Sequence, residues 1–215
     1  DDVALRLQPG LEDGFDGAEI GRVAGFHVRH ADAVDELVVD HAAPGIDGPA
    51  GGYTLEQLIP EAQKHEILIV YTSTPTFEND VQVADALKKA NEDLLVGFCG
   101  AHVVVRWKET LTQNSNIDFV CDKEFDFTVK EVCEGLPLAN VTGLYYRERN
   151  EIKFTGPRAM IHDMDALPWV TPIYKKFLDP KNYYNGYMLH PYMSIYTGRG
   201  CKSRCTYCLW PQTIS

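Results

Sequence analysis

The chain is short of basic residues: 20 Lys and Arg stand against 31 Asp and Glu, a formal net charge of −11. A nucleic-acid partner is therefore not expected, because phosphate binding needs a basic face that this composition would have to assemble locally. No run of eighteen apolar residues occurs, so there is no spanning helix to read. The opening residues, DDVALRLQPG, lack the basic-then-apolar order of a secretory leader. Internal repeats and low-complexity tracts are missing too. With 45% hydrophobic and 24% charged residues, the disordered and collagen-like classes are excluded. These absences leave a soluble chain, expected in the cytoplasm. Its 215 residues suffice for one α/β domain and part of another.

What is present is a set of six cysteines, at 99, 121, 133, 201, 205 and 208. A disulfide-stapled secreted domain would be shorter and would spread them as a framework. Here Cys99, Cys121 and Cys133 lie singly inside apolar runs and read as small core hydrophobes. The other three crowd into eight residues, which points to metal.

Ile67 to Tyr71 (ILIVY) predicts a strand buried on both faces. Asn79 and Asp80 offer N-cap chemistry for a helix on which Val83, Leu87 and Ala90 recur. Leu94 to Phe98 predicts a second buried strand, and residues 103–114 a helix. Ile117, Phe119 and Cys121 mark a third strand. Phe125, Val129, Val132 and Cys133 line one face of a further helix that Gly135 ends. Val3 to Leu7 and Glu36 to Val39 can supply two more strands. Thr54 to His65 can supply a helix opened by a Thr54–Gln57 capping box and disturbed by Pro60. This rhythm predicts an α/β domain over about residues 1–140, with a parallel sheet and helices on both faces. Residues 141–160 read as a hairpin turning near Asn150, and 161–189 as a Pro- and Tyr-rich connector. Met193 to Tyr196 is expected to begin a strand that opens a second domain at 190–215.

The cysteine segment has the spacing C-x3-C-x2-C over Cys201, Cys205 and Cys208. Three thiolates on one short loop can hold three irons of a cubane cluster and leave the fourth open. Gly198 and Gly200 let the backbone fold tightly enough, and Arg199, Lys202 and Arg204 would offset thiolate charge. The competing reading is a structural zinc knuckle, whose fourth ligand would have to come from His190 or a distant residue.

With Tyr207 in the aromatic slot before the last cysteine, this segment resembles the signature of the radical S-adenosylmethionine (SAM) superfamily. The resemblance implies a [4Fe–4S] cluster on Cys201, Cys205 and Cys208, SAM chelated at the open iron, and Tyr207 near the adenine. An electron from the cluster would cleave SAM to methionine and a 5′-deoxyadenosyl radical that abstracts hydrogen from an unactivated carbon. A flavodoxin or ferredoxin would supply that electron. The preceding α/β region resembles the class with an N-terminal Rossmann-like cobalamin-binding domain. The pieces that carry this are Thr72-Ser73-Thr74-Pro75, Gly100-Ala101-His102-Val103 and Asp118 to Glu124. Each alone could be a turn sealing a βα unit; in order, they imply cobalamin contacts at Ser73, Thr74, Gly100, His102 and Glu124, where such sheets bind ligands. Asp40-His41 does not continue as D-x-H-x-x-G, so no histidine is expected below cobalt, and His102 is read as hydrogen-bonding near its loop.

Met188 to Tyr192, Ser194 to Thr197 and Cys208 to Thr213, with Gly14 to Gly17 and Asp165 to Pro168, are similar to the hopanoid-biosynthesis-associated radical SAM protein J family. That resemblance implies ring contraction of a glucosaminyl head group of a hopanoid lipid to a cyclitol ether, with at most peripheral contact at the inner membrane. A cobalamin-dependent radical SAM C-methyltransferase shares every motif present. A non-catalytic cobalamin-binding module is the third reading. A (β/α) barrel needs on the order of 150–200 residues, and seven follow Cys208. The chain is therefore read as an N-terminal fragment with the first strand and cluster loop of a truncated barrel, unable to turn over SAM alone.

Overall fold

The structure, a computed structural model, describes residues 22–27, 46–195 and 197–210. The strands expected at Val3–Leu7 and Glu36–Val39 and the runs at 14–17 and 211–213 lie outside these residues. Among the described residues seven strands form one sheet: β1 (Arg22–His27), β2 (Ile46–Asp47), β3 (Ile67–Tyr71), β4 (Leu95–Cys99), β5 (Phe119–Cys121), β6 (Leu144–Glu148) and β7 (Glu151–Phe154). Their order is β2-β1-β3-β4-β5-β6-β7. The helices are α1 (Gly48–Gly51), α2 (Leu55–Ala62), α3 (Phe77–Ala90), α4 (Ala101–Gln113), α5 (Asp126–Cys133) and α6 (Val170–Phe177).

The alternation of side chains along the central strands sorts the core into two layers. Leu68, Val70, Val96, Phe98 and Val120 pack with Leu58 of α2, Leu87 of α3 and Leu111 of α4. Ile67, Ile69, Cys99, Phe119 and Cys121 face the other way, toward Val132 of α5. The helices therefore cover both faces. Gly97 is part of this fit: a Cβ there would lie 2.1 Å from Cζ of the fully buried Phe119 ring.

Only the centre of the sheet is parallel, which corrects the expectation of a parallel sheet over residues 1–140, while the hairpin expected at 141–160 is there as β6 and β7. β3, β4 and β5 run together, but β1–β2, β1–β3, β5–β6 and β6–β7 pair antiparallel. For the last pair the cause is plain: Glu148 faces Glu151 across a two-residue turn, too short for the crossover that parallel pairing needs. The result is an α/β domain with a mixed sheet, compatible with a Rossmann-like fold.

Local chemistry sets the helix ends. Thr54 and Gln57 form the capping box of α2, which runs on through Pro60. The proline removes only the bond to the Glu56 carbonyl, in the exposed first turn. α3 starts earlier than expected, with Thr76 rather than Asn79 or Asp80 at its N-cap. Ser73 and Thr76 close a turn there, Ser73 N–H donating to Thr76 Oγ1 at 3.2 Å, and Asp80 falls inside the helix, buried. α5 ends in a Schellman motif, with Gly135 N–H on Val132 O (3.0 Å) and Leu136 N–H on Glu131 O (3.2 Å).

The β6–β7 hairpin extends the sheet and is tied to α4. Tyr145 lies stacked between Trp107 and Phe154, with centroids 4.1 and 4.2 Å away. Arg147 donates to the Leu111 and Asn114 carbonyls at the end of α4. Arg158 holds the following segment, donating to Thr128 Oγ1 and Thr142 O at 2.9 Å and pairing with Glu131. The strand expected at Met193–Tyr196 is not formed over 193–195. No neighbouring strand among the described residues offers that segment a ladder, and a lone strand leaves its backbone groups to water. No helix of the described residues is long and apolar enough to cross a membrane.

Candidate functional site at the carboxyl edge of the sheet

β3, β4 and β5 all deliver their carboxyl ends to one edge, where open α/β sheets bind ligands. Gly100 turns the chain from β4 into α4 at φ +106 and ψ 177, a region essentially closed to other residues. A Cβ at this position would stand 2.4 Å from the Thr72 carbonyl oxygen. The close approach is held by Thr72 N–H donating to Cys99 O at 2.9 Å.

The edge opens into a cleft of about 240 Å³. Tyr71, Gly100, Ala101 and Val104 form one side, residues 123 to 126 the floor, and Arg199, Leu209 and Trp210 the far wall. The lining is apolar in the main but carries Lys123, Glu124, Asp126 and Arg199, and no histidine among the described residues. Glu124 is buried; its Oε2 accepts from Ile161 N–H at 2.8 Å. Beneath the cleft the thiols of Cys99 and Cys121 are fully buried, and burial pushes both well up, so they stay neutral.

Of the residues assigned to a cofactor from sequence, the structure brings Gly100 and Glu124 into this cleft. Ser73, Thr74 and His102 form a neighbouring cluster instead. Ser73 bonds Thr76, and Thr74 Oγ1 lies 3.2 Å from His102 Nδ1. The His102 ring stacks on Phe77 at 4.1 Å, and its burial lowers its pKa. It faces a polar groove between α3 and α4 rather than the cleft.

Cys201 and Cys205 are exposed, Cys208 half-buried and Tyr207 91% exposed. The donor set suits an iron–sulfur cluster in its chemistry, three accessible thiols within eight residues, and would hold it through Cys201, Cys205 and Cys208. Among the described residues no group of three His, Cys, Asp or Glu side chains converges on a metal position. His190, the named fourth ligand of a zinc site, has Nε2 on the Lys181 carbonyl at 2.8 Å. Arg199, expected to offset thiolate charge, has carboxylate partners at the rim of the cleft. It forks onto Asp126 of α5, Nη1 to Oδ2 at 2.5 Å and Nη2 to Oδ1 at 3.0 Å, and its Nη1 lies 3.8 Å from Glu124 Oε1.

Tyr71, Lys123, Asp126 and Leu209 also line the cleft; sequence reasoning quoted Lys123 and Leu209 only within longer runs and gave none of the four a site role. The D-K-E-F-D run at 122–126 follows directly on β5, but nothing in its spacing pairs Asp126 with Arg199.

No protein-family profile matches the chain. It is similar to an uncharacterised methyltransferase of Pyrococcus horikoshii, 28% identical over 175 residues, covering 79% of this chain and 37% of that protein. It is also similar to the anaerobic magnesium-protoporphyrin IX monomethyl ester cyclase of Synechocystis, 25% identical over 182 residues, covering 80% and 35%. The chain spans about a third of the length of these curated relatives. Both are named as enzymes, and neither name carries the hopanoid resemblance.

Proposed function

We propose that the chain serves a radical SAM enzyme with a cobalamin-binding domain. On this reading residues 1–140, with the β6–β7 hairpin completing their sheet, are the cofactor domain, the rest of 141–189 the link and 190–215 the start of the radical SAM domain. The observation that supports it best is the C-x3-C-x2-C loop set against the carboxyl-edge cleft of a Rossmann-like sheet. The bound cluster and SAM would supply a carbon-centred radical, and cobalamin a methyl group or a redox partner. The chain's own residues have simpler tasks. Cys201, Cys205 and Cys208 would ligate iron, and Tyr207 would lie against the adenine. Gly100 and Glu124 would face cobalamin, and the Ser73–Thr74–His102 cluster would border its site.

At about 240 Å³ the cleft is smaller than the roughly 300–1,000 Å³ of most ligand pockets. A large cofactor would therefore enter with the wall of Arg199, Leu209 and Trp210 moved outward. The name of the Pyrococcus relative favours methyl transfer as the second reading. The finer proposal, ring contraction of a hopanoid head group, rests on the runs at 14–17, 165–168, 188–192, 194–197 and 208–213, and flavodoxin or ferredoxin as reductant on the cysteine signature.

Anaerobic reconstitution with iron, sulfide and hydroxocobalamin tests the central claim. Wild type is expected to hold about four irons per cubane and to bind cobalt. The Cys201→Ala/Cys205→Ala/Cys208→Ala variant should lose the iron and keep the cobalt. Zinc in place of iron would remove the radical chemistry, and iron without cobalt would remove cobalamin.

A further inference from the structure

We infer that Arg199 is a positioning residue: it latches the thiol loop to the rim of the cleft, making the loop a wall of the site that the β5–α5 segment floors. The role given to the thiols rests on the function proposed above; the latch itself rests on the following geometry.

Arg199 lies two residues before Cys201 and 73 residues after its partner Asp126, yet the pair is bidentate. Both side chains are 27% exposed, so the contact is partly shielded from water. A planar fork on a carboxylate fixes orientation as well as distance, which a single lysine contact does not. Glu124 adds a second reason for the arginine to sit there. It is 8% exposed, has one oxygen on Ile161 N–H, and presents the other toward Arg199. Two carboxylates on one rim would be costly with Lys123 as the only other cation among the described lining residues, and Arg199 offsets them. The latch has a site-level consequence: Leu209 and Trp210, eight and nine residues beyond Cys201, are carried onto the same wall. The loop that bears the thiols and the cleft it helps to wall are then one mechanical unit, and whatever fills the cleft bears on the loop.

Hydrogen–deuterium exchange on the full 215-residue chain, with neither iron nor cobalamin added, tests this directly. Asp126→Asn is expected to speed exchange over residues 197–210 about tenfold, equivalent to about 1.4 kcal/mol, and to leave β3 to β5 unchanged. Asp126→Glu, which keeps a carboxylate, should restore most of the protection. Wild-type exchange over 197–210 in Asp126→Asn would overturn the latch. If Asp126→Asn loosens the whole domain, Arg199→Lys decides. It keeps the charge, loses the fork and touches no core residue, and it should again speed only the loop; an unchanged loop would overturn the inference. After anaerobic iron loading, Arg199→Lys should also alter the electron paramagnetic resonance line shape of the reduced cluster. A wild type that takes up no iron counts against the proposed function and leaves exchange to judge the latch.

Discussion

Gly100→Ala puts a number on the turn that builds the cleft. The backbone there sits at φ +106, ψ 177, where a side chain costs about 1–3 kcal/mol. The new methyl group would also stand 2.4 Å from the Thr72 carbonyl oxygen, and backbone rather than a movable side chain is in the way. Relieving that clash means parting the loops after β3 and β4, which endangers the 2.9 Å bond from Thr72 N–H to Cys99 O, worth about 1 kcal/mol. Together these give about 2–4 kcal/mol. For a domain of this size that is a fall in Tm of about 4–16 °C. Gly156→Ala is the matched control: its φ is +95 but nothing lies within 4 Å of the added carbon, so it carries the conformational cost alone. Gly198→Ala, with open space and no unusual φ, should change little. Calorimetry and urea unfolding of the three variants separate the contributions. If Gly100→Ala costs no more than Gly156→Ala, the close approach to Thr72 is not what shapes this edge, and the reasoning fails.

Further outcomes are expected elsewhere in the domain. In native protein, thiol reagents should modify Cys201, Cys205 and Cys208 quickly and spare Cys99 and Cys121, whose burial keeps them neutral; rapid labelling of Cys99 would contradict the packing. Gly97→Ala should cost about 1–3 kcal/mol by pressing on Phe119, and adding Phe119→Leu should give part of it back; strictly additive losses would refute that contact. Burial lowers the pKa of His102, so the unfolded chain takes its proton more readily and stability falls as pH drops below about 6.5. His102→Asn should therefore show a shallower acid limb than wild type in urea titrations from pH 7 to 5, and an identical slope would exclude the assignment.

The central fold was legible because burial on two faces writes itself into composition. ILIVY and LLVGF can be little other than inner strands, the second formed one residue later as Leu95–Cys99, and the Thr54–Gln57 and Gly135 end signals act within a few residues of themselves. The hairpin of β6 and β7 was legible from its turn near Asn150, but the directions in which β1 and β6 pair with the parallel centre were not, since a strand looks alike whether its neighbour runs up or down. α6 was missed because Pro172 falls within the helix, where a proline usually reads as a break. In the site, Gly100 and Glu124 could be found from loop position. Asp126 could not, because its role depends on Arg199, 73 residues away, and no local spacing records that meeting.

The stack of Trp107, Tyr145 and Phe154 gives the molecule an optical gauge. Three nearly parallel rings about 4 Å apart join a helix to an edge hairpin, with interplanar angles of 8° and 16°. Aromatic transitions that close must couple, so the near-ultraviolet dichroism of the chain reports on whether the hairpin is seated. The inner strands contribute to that band through looser ring pairs, Tyr71 with Phe125 and Phe98 with Phe77, whose centroids lie 6.1 and 6.3 Å apart. An edge that peels away ahead of the centre, as sub-global opening allows, would therefore show as dichroism fading while the amide signal holds.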